Sequence, residues 1–283
     1  MTITVTGVND TPITSGTPGD QANADNDAIT TLDVSGHFSD VDGDTLTYSA
    51  TDLPTGLTID ADTGVISGTI DNSASQDGPF NVVVTATDPW GQTTTLSFNW
   101  TVTNPGPTAT DNTAAVNVTN TTSTGNVISD DDGLGVDSDP DGDELTVSRI
   151  AGTTDFGIAV PGEFGEIVVL NDGSYTYTLD TGNSDVVALG GNETLTETFF
   201  YRIVDGEGGT DFARLTITIT GGNDAPITGG TIPSQTNDDA DSITAVDVTS
   251  VFSDPDGDTL TYTAAGLPAG LTCLLYTSDA ADE

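Results

Sequence analysis

The sequence predicts an all-β protein made of tandem antiparallel β-sandwich domains, and three features lead there. Thr, Asp and Gly are the commonest residues, and they favour strands and tight turns over helices. Short segments of alternating apolar and polar residues follow one another, separated by Gly, Pro, Asp and Asn, with no long stretch of helical periodicity. The chain also repeats itself: residues 1–58 and 215–272 align without a gap, with more than half of the positions identical. A length of 283 residues leaves room for two to three domains. Hydrophobic residues at 34% and aromatics at 6% suit several small cores better than one large one.

Taken in order, residues 1–8 correspond to 215–222, which close a domain in the second copy, so they are expected to be the last strand of a preceding repeat. Domain one is expected at 9–104, with strands at 29–34, 45–50, 57–59, 65–67, 80–88 and 93–103. Phe38, Leu46, Tyr48, Leu57, Val82, Val84, Ala86, Phe98 and Trp100 stand at period-two spacings and should line its core. Pro105-Gly106-Pro107 is a short, stiff linker at 105–107, and domain two follows at 108–222. A third domain starts at Asn223-Asp224-Ala225-Pro226 and tracks the first over 223–272. The repeat then breaks off: Cys273-Leu274-Leu275-Tyr276-Thr277-Ser278 replaces the expected strand and resembles translated sequencing-adapter read-through. Residues 273–283 are therefore expected to be an artefact tail and are set aside.

One stretch occurs in every domain. Ser39-Asp40-Val41-Asp42-Gly43-Asp44-Thr45-Leu46-Thr47 returns as Ser138-Asp139-Pro140-Asp141-Gly142-Asp143-Glu144-Leu145-Thr146, and again as Ser253-Asp254-Pro255-Asp256-Gly257-Asp258-Thr259-Leu260-Thr261. Each copy sets carboxylates at alternate positions, with a glycine that lets the backbone turn, directly before an alternating strand. Three hard oxygen donors from one short loop suit Ca²⁺, which takes about 6–8 oxygens in flexible geometry. A solvated acidic turn is the alternative for any single copy; recurrence in one local context favours metal. The acids point the same way, because only 7 of the 45 are Glu, and short metal loops prefer Asp.

The charge excludes several functions. Against 45 acids stand 3 basic residues, none of them lysine, for a formal net charge of −42. Nucleic acid is not expected as a partner, since phosphate binding needs cationic neutralisation. An anionic membrane surface is disfavoured for the same reason, and no apolar run is long enough for a membrane span. Met1–Thr6 has neither a basic nor an apolar leader region, so any export signal is expected outside these residues. An enzyme is not expected either. His37 is the only histidine, its counterpart in domain three is Val251, and the lone Cys273 lies in the set-aside tail, so no zinc site or Ser-His-Asp triad is visible.

Two sets of motifs carry a family resemblance. Leu53-Pro54-Thr55-Gly56-Leu57-Thr58-Ile59-Asp60-Ala61-Asp62-Thr63-Gly64-Val65-Ile66-Ser67-Gly68-Thr69 and Val84-Thr85-Ala86-Thr87-Asp88-Pro89-Trp90-Gly91 resemble the Putative Ig and dystroglycan-type cadherin-like repeats of bacterial surface proteins. Gly125–Asp131, Gly173–Leu179 and Thr194–Asp205 in domain two resemble the VCBS-type cadherin-like repeats of large secreted adhesins. The resemblance implies Ig/cadherin-like sandwiches with Ca²⁺ at the junctions, held by an Asn-Asp linker, the Asp-x-Asp loop and an Ala-x-Asp turn. Carried onto this chain, those ligands are Asn9, Asp10, Asp40, Asp42 and Asp88. Asp205 aligns with Asp88, and Asn223 with Asp224 repeats the linker pair. With the loop carboxylates Asp44, Asp139, Asp141, Asp143, Asp254, Asp256 and Asp258, these complete the candidate ligand set. The linker 105–107 lacks the Asn-Asp pair, and the acidic segment that supplies a further ligand in cadherins has no counterpart near Gly68–Gly78.

The function implied is a calcium-binding structural region of a bacterial surface or secreted adhesin, extracellular, with neighbouring repeats of the same chain as partners and a cell-surface protein or glycan beyond them. The alternative is a set of accessory modules of a large secreted hydrolase, with one sandwich binding glycan. Trp100 stands in an inward strand phase, which leaves Trp90 alone on a turn for that second role.

Overall fold

The computed structural model describes residues 2–3, 7–191, 193–238 and 240–273. The strands of domain one are β1 (Ile13–Thr14), β2 (Gln21–Ala24), β3 (Leu32–Asp33), β4 (Phe38–Ser39), β5 (Thr47–Thr51), β6 (Leu57–Ile59), β7 (Val65–Gly68), β8 (Phe80–Thr87) and β9 (Thr93–Thr103). They form a four-stranded sheet in the order β2-β9-β8-β5, a three-stranded sheet β3-β7-β6 and a short β1–β4 pair. The β8–β9 hairpin is the backbone of the domain, in register from Phe80↔Trp100 to Thr87↔Thr93. Its alternation turns Phe80, Val82, Val84 and Ala86 inward from one strand and Leu96, Phe98, Trp100 and Val102 from the other. The expected core residues are buried there, except that Tyr48 is only partly buried, edge-on to Phe38 at 5.8 Å. Trp100 is 1% exposed, and its indole N–H donates to Asn23 Oδ1 at 3.1 Å, which satisfies the polar group of a buried ring.

Domain two comprises β10 (Asn112–Asn117), β11 (Thr122–Asn126), β12 (Thr146–Ile150), β13 (Ala159–Pro161), β14 (Gly165–Val169), β15 (Ser174–Leu179), β16 (Thr194–Val204) and β17 (Thr210–Thr220). One helical turn, α1 (Ser184–Val187), is capped by Asn183, whose side chain accepts from the Asp185 N–H at 2.9 Å. Sheets β10-β17-β16-β12 and β11-β15-β14-β13 enclose a core centred on Tyr177, Tyr201, Ile167, Leu215 and Ile217. Two polar groups are buried with partners. Glu197 accepts the Tyr177 hydroxyl at 2.7 Å and the Glu163 N–H. Tyr201 lies within hydrogen-bond reach of the Thr110 and Val127 carbonyls at 2.8 and 3.0 Å, and it accepts from Asn112 Nδ2 at 2.9 Å. Burial, and then the neighbouring carboxylate, raise both tyrosine hydroxyls well above their ordinary value.

The sheets are not antiparallel throughout, as expected from sequence. β2 runs parallel to β9, and β10 runs parallel to β17. The reason is the route of the chain. It enters each sandwich at one end and leaves at the other, so the early strand that pairs with the last strand of its domain, β2 or β10, runs parallel to it.

Over residues 223–273 the described strands are β18 (Ile227–Thr228) and β19 (Phe252–Ser253). Their pairing repeats that of β1 with β4, residue for residue. These residues contain no counterpart of the β8–β9 hairpin, and nothing there provides the long sheet on which the other strands would pack. Cys273 is exposed, and residues 274–283 of the expected tail lie outside the described residues.

Candidate metal centre at the domain ends

The three aspartate loops fold alike. In the first, Asp40 Oδ1 accepts the N–H groups of Asp42 and Asp44 at 2.8 and 3.4 Å, and its carbonyl accepts Gly43 N–H at 3.2 Å. Asp254 does the same for Asp256 and Asp258 at 3.0 and 3.4 Å, and Asp139 for Asp141 at 3.1 Å. Gly43, Gly142 and Gly257 sit at φ of 78°, 91° and 78°, a left-handed turn that a side chain would strain. The loop thus wraps around its first carboxylate, and the three carboxylates of each copy converge. In each triad one oxygen per residue lies within 4.8 Å of the others.

Other elements close on these loops. Asp88, between β8 and β9, accepts the N–H groups of Trp90 and Gln92 with Oδ1, both at 2.8 Å, and Asn9 Nδ2 with Oδ2 at 2.7 Å. Burial raises its pKa, but the bonds from Asn9, Gln92, Trp90 and Gly91 outweigh burial and hold it below the ordinary aspartate value. Asp10 and Asp224 contribute their backbone N–H groups, to Asp42 Oδ2 at 2.7 Å and to Asp256 Oδ2 at 2.5 Å; their own side chains are outside the triads.

Between domains one and two the same design recurs through a residue that sequence reasoning missed. Asn104 Nδ2 donates to Asp205 Oδ2 at 2.8 Å, as Asn9 does to Asp88. A search for an Asn-Asp pair overlooks it because Pro105 follows; the available signal was an Asn standing directly after the last strand. Asp205 Oδ1 accepts the N–H groups of Glu207, Gly208 and Gly209 at 2.8, 3.0 and 3.0 Å. Domain one adds its far end. Asn72 Nδ2 donates to Asp143 Oδ1 at 3.2 Å, and Gln76 Nε2 to the Glu207 carbonyl at 3.1 Å. Asp25, just past β2, is 3% exposed; Ser75 N–H donates to its Oδ1 at 2.9 Å, while its Oδ2 has no partner. It stands close enough to Asp143 to raise that group's pKa. Asp25, Asn72 and Glu207 were not legible as site residues, because only the docking of one domain end on the next loop brings them there.

The arrangement has too many acceptors. Among the described residues, every buried side-chain polar atom without a hydrogen-bond partner is an oxygen of these clusters: Asn9 Oδ1, Asp40 Oδ2, Asp25 Oδ2, Asn104 Oδ1, Asp139 Oδ2, both oxygens of Asp141, and Asp143 Oδ2. Asp141, 4% exposed, has its pKa pushed up to about 7 by burial, then by the adjoining carboxylates of Asp139 and Asp143. Burial, then the charge of Glu207 and three aspartates, raises Asp143; burial, then Asp40, Asp42 and Asp88, raises Asp44. Buried oxygens without donors are costly unless something positive lies between them. The donor set fits a hard divalent cation.

Comparison with known proteins gives the family. Residues 11–103 and 225–273 match the Putative Ig domain, and residues 104–221 match the Bacterial cadherin-like domain. The chain belongs to the Putative Ig family, with a match to the Bacterial cadherin-like domain between its two repeats. No curated protein matches it. Among solved structures it is similar to Drosophila N-cadherin EC1-4, with 13% identity over 75% of this chain and 50% of that one, at a TM-score of 0.35. Human Protocadherin-24 EC1-2 shares 14% identity over 76% of this chain and 98% of that one, at 0.33. An endo-fucoidan hydrolase of glycoside hydrolase family 107 shares 18% over 77% of this chain, at 0.33, and the present chain spans only 30% of its length. The cadherin-like and Putative Ig repeats here are tandem β-sandwiches with acidic triads able to hold a metal. Among the described residues no helix is long and apolar enough to cross a membrane.

Proposed function

We propose that the chain is a calcium-binding structural region of a large bacterial surface or secreted adhesin, in which Ca²⁺ at the domain ends stiffens the array. The division that goes with this reading is 9–104, 108–222 and 223–272, with the linker at 105–107. One observation carries it: Asp25, Asn104, Asp139, Asp141 and Asp143 together hold six buried oxygens without partners, contributed by both sides of one domain boundary. Six oxygens match the lower end of calcium's coordination number. Asn9, Asp40, Asp42, Asp44 and Asp88 form the corresponding set at the head of domain one, and Asn223, Asp254, Asp256 and Asp258 at the head of domain three. Asp205 holds Asn104, and Asp10 and Asp224 fix the linkers through their N–H groups. A ligand set drawn from two domains turns ion binding into restraint of the angle between them.

Extracellular modules bind Ca²⁺ with a Kd of about 10⁻⁴–10⁻³ M, so such sites fill outside the cell and stay empty at cytosolic calcium. The test is calcium titration of the whole chain, followed by small-angle scattering and thermal melting. Calcium is expected to extend the particle and raise the melting temperature well beyond NaCl of equal ionic strength. Equal effects of the two salts would leave only acidic turns.

A further inference from the structure

All three basic residues of the chain, Arg149, Arg202 and Arg214, stand on one outward sheet face of domain two, together with two exposed phenylalanines. The outward positions of β16 are Thr194, Thr196, Thr198, Phe200, Arg202 and Val204; those of β17 are Thr210, Phe212, Arg214, Thr216, Thr218 and Thr220. In register, Phe200 faces Arg214 and Arg202 faces Phe212, so rings and guanidinium groups alternate like a checkerboard. A β-bulge between Val147 and Arg149 then sets Arg149 directly opposite Arg202 on the third strand. Phe200 and Phe212 are 63% and 59% exposed. None of these twelve positions carries an acid, in a chain with 45 of them.

The fold does not require this face. Its counterpart in domain one pairs Asn81 with Asn99, Val83 with Ser97, Thr85 with Thr95 and Thr87 with Thr93, without a ring or a cation. Among the described residues only one of the three cations is paired with the chain's own acids, Arg214 with Asp111 at 2.8 Å. Arg202 Nε donates to Ser148 Oγ at 2.7 Å, and its cross-strand neighbour is another arginine, an arrangement that costs stability. The unanswered positive charge calls for an anion from outside.

We propose that this face binds a polyuronate glycan, the sugar rings lying on Phe200 and Phe212 and a carboxylate held by Arg149 and Arg202. The area chooses between a glycan and an acidic protein. Three strands about 4.8 Å apart and two residue pairs along them cover a few hundred Å², well below the roughly 800 Å² per partner of a stable protein interface. An extended saccharide needs only such a strip, and the flanking Thr194, Thr196, Thr198, Thr216, Thr218 and Thr220 continue it as hydroxyls. Guanidinium groups are all donor and meet a carboxylate two bonds at a time. The negative face of an aromatic ring takes the polarised C–H groups of a sugar. The overall charge of −42 does not forbid an anion, since fields beyond about 8 Å are screened at physiological salt. This site does not depend on the junction cations.

The test uses the whole chain with hexagalacturonate, against a neutral galactose oligomer, a sulfated dextran oligomer and short polyglutamate as comparison probes. Hexagalacturonate is expected to bind with salt-sensitive affinity. Arg202→Thr and Arg149→Gln should each weaken binding by about tenfold or more, the loss of one charge-assisted contact. Phe200→Val and Phe212→Thr, which install the domain-one residues, should weaken it with melting of domain two unchanged. Equal binding of the neutral oligomer, tighter binding of the sulfated dextran or of polyglutamate, or indifference of binding to the arginine variants would each overturn the proposal. The wild-type probe series decides by itself should a variant fail to fold.

Discussion

Asp141→Asn should stabilise domain two when calcium is absent and abolish the further stabilisation that calcium gives. The carboxyl of Asp141 is held up at about 7 in the folded protein, against an ordinary value of 3.8. Between those values the folded state binds the proton and the unfolded state has lost it. Stability of the cation-free domain is therefore greatest in acid and falls as pH rises through this window. The full effect is at most about 4 kcal/mol, and solvent screening reduces it to about 2. The asparagine removes the charge, keeps the shape, and offers a donor to the neighbouring carboxylates. In chelator at about pH 8 it should raise the melting temperature of domain two by about 8 °C, taking about 4 °C per kcal/mol for a domain of this size. With calcium at ten times its Kd, the wild type gains about 1.4 kcal/mol per ion, and the variant should gain nothing. Calorimetry of the whole chain at about pH 5 and pH 8, in chelator and in calcium, reads all of these. A variant that melts lower than wild type in chelator at pH 8, or that keeps the full calcium gain, would show that the orphaned oxygens of Asp141 do not face a cation.

Three further outcomes follow from the same geometry. Asp40→Asn with Asp42→Asn should remove the calcium stabilisation of domain one and leave that of domain two intact; domain-resolved melting checks this. Asp25→Asn, made in domain one, should weaken the calcium response of domain two several-fold and loosen the angle between the domains in scattering, since Asp25 crosses the boundary; an unchanged response would remove it from the ligand set. Tyr201→Phe should cost domain two about 1–3 kcal/mol by leaving buried partners unpaired, with calcium affinity unaffected, as read by melting and titration.

Local pattern was enough for much of this protein. Alternation fixed which side of β8 and β9 faces the core, because the side-chain period of a strand is two and one face is wet. The three aspartate loops were equally legible, since their geometry is made within a few residues by Asp40, Asp139 or Asp254 bonding its own neighbours and by a glycine at positive φ. The parallel pairings of β2 with β9 and β10 with β17 were not legible, because they depend on where the chain enters and leaves a sandwich. Asn104, Asp25 and Glu207 were hidden for a related reason: nothing in their local sequence marks them, and they meet the loop at Asp139 only when one domain's base docks on the next domain's head. The gathering of Arg149, Arg202 and Arg214 was likewise invisible, since those residues are far apart in the chain and become neighbours through strand register alone. Sequence decided what each loop and strand could be; contacts between distant segments decided which acids are stripped of water, and so where a cation gains most by binding.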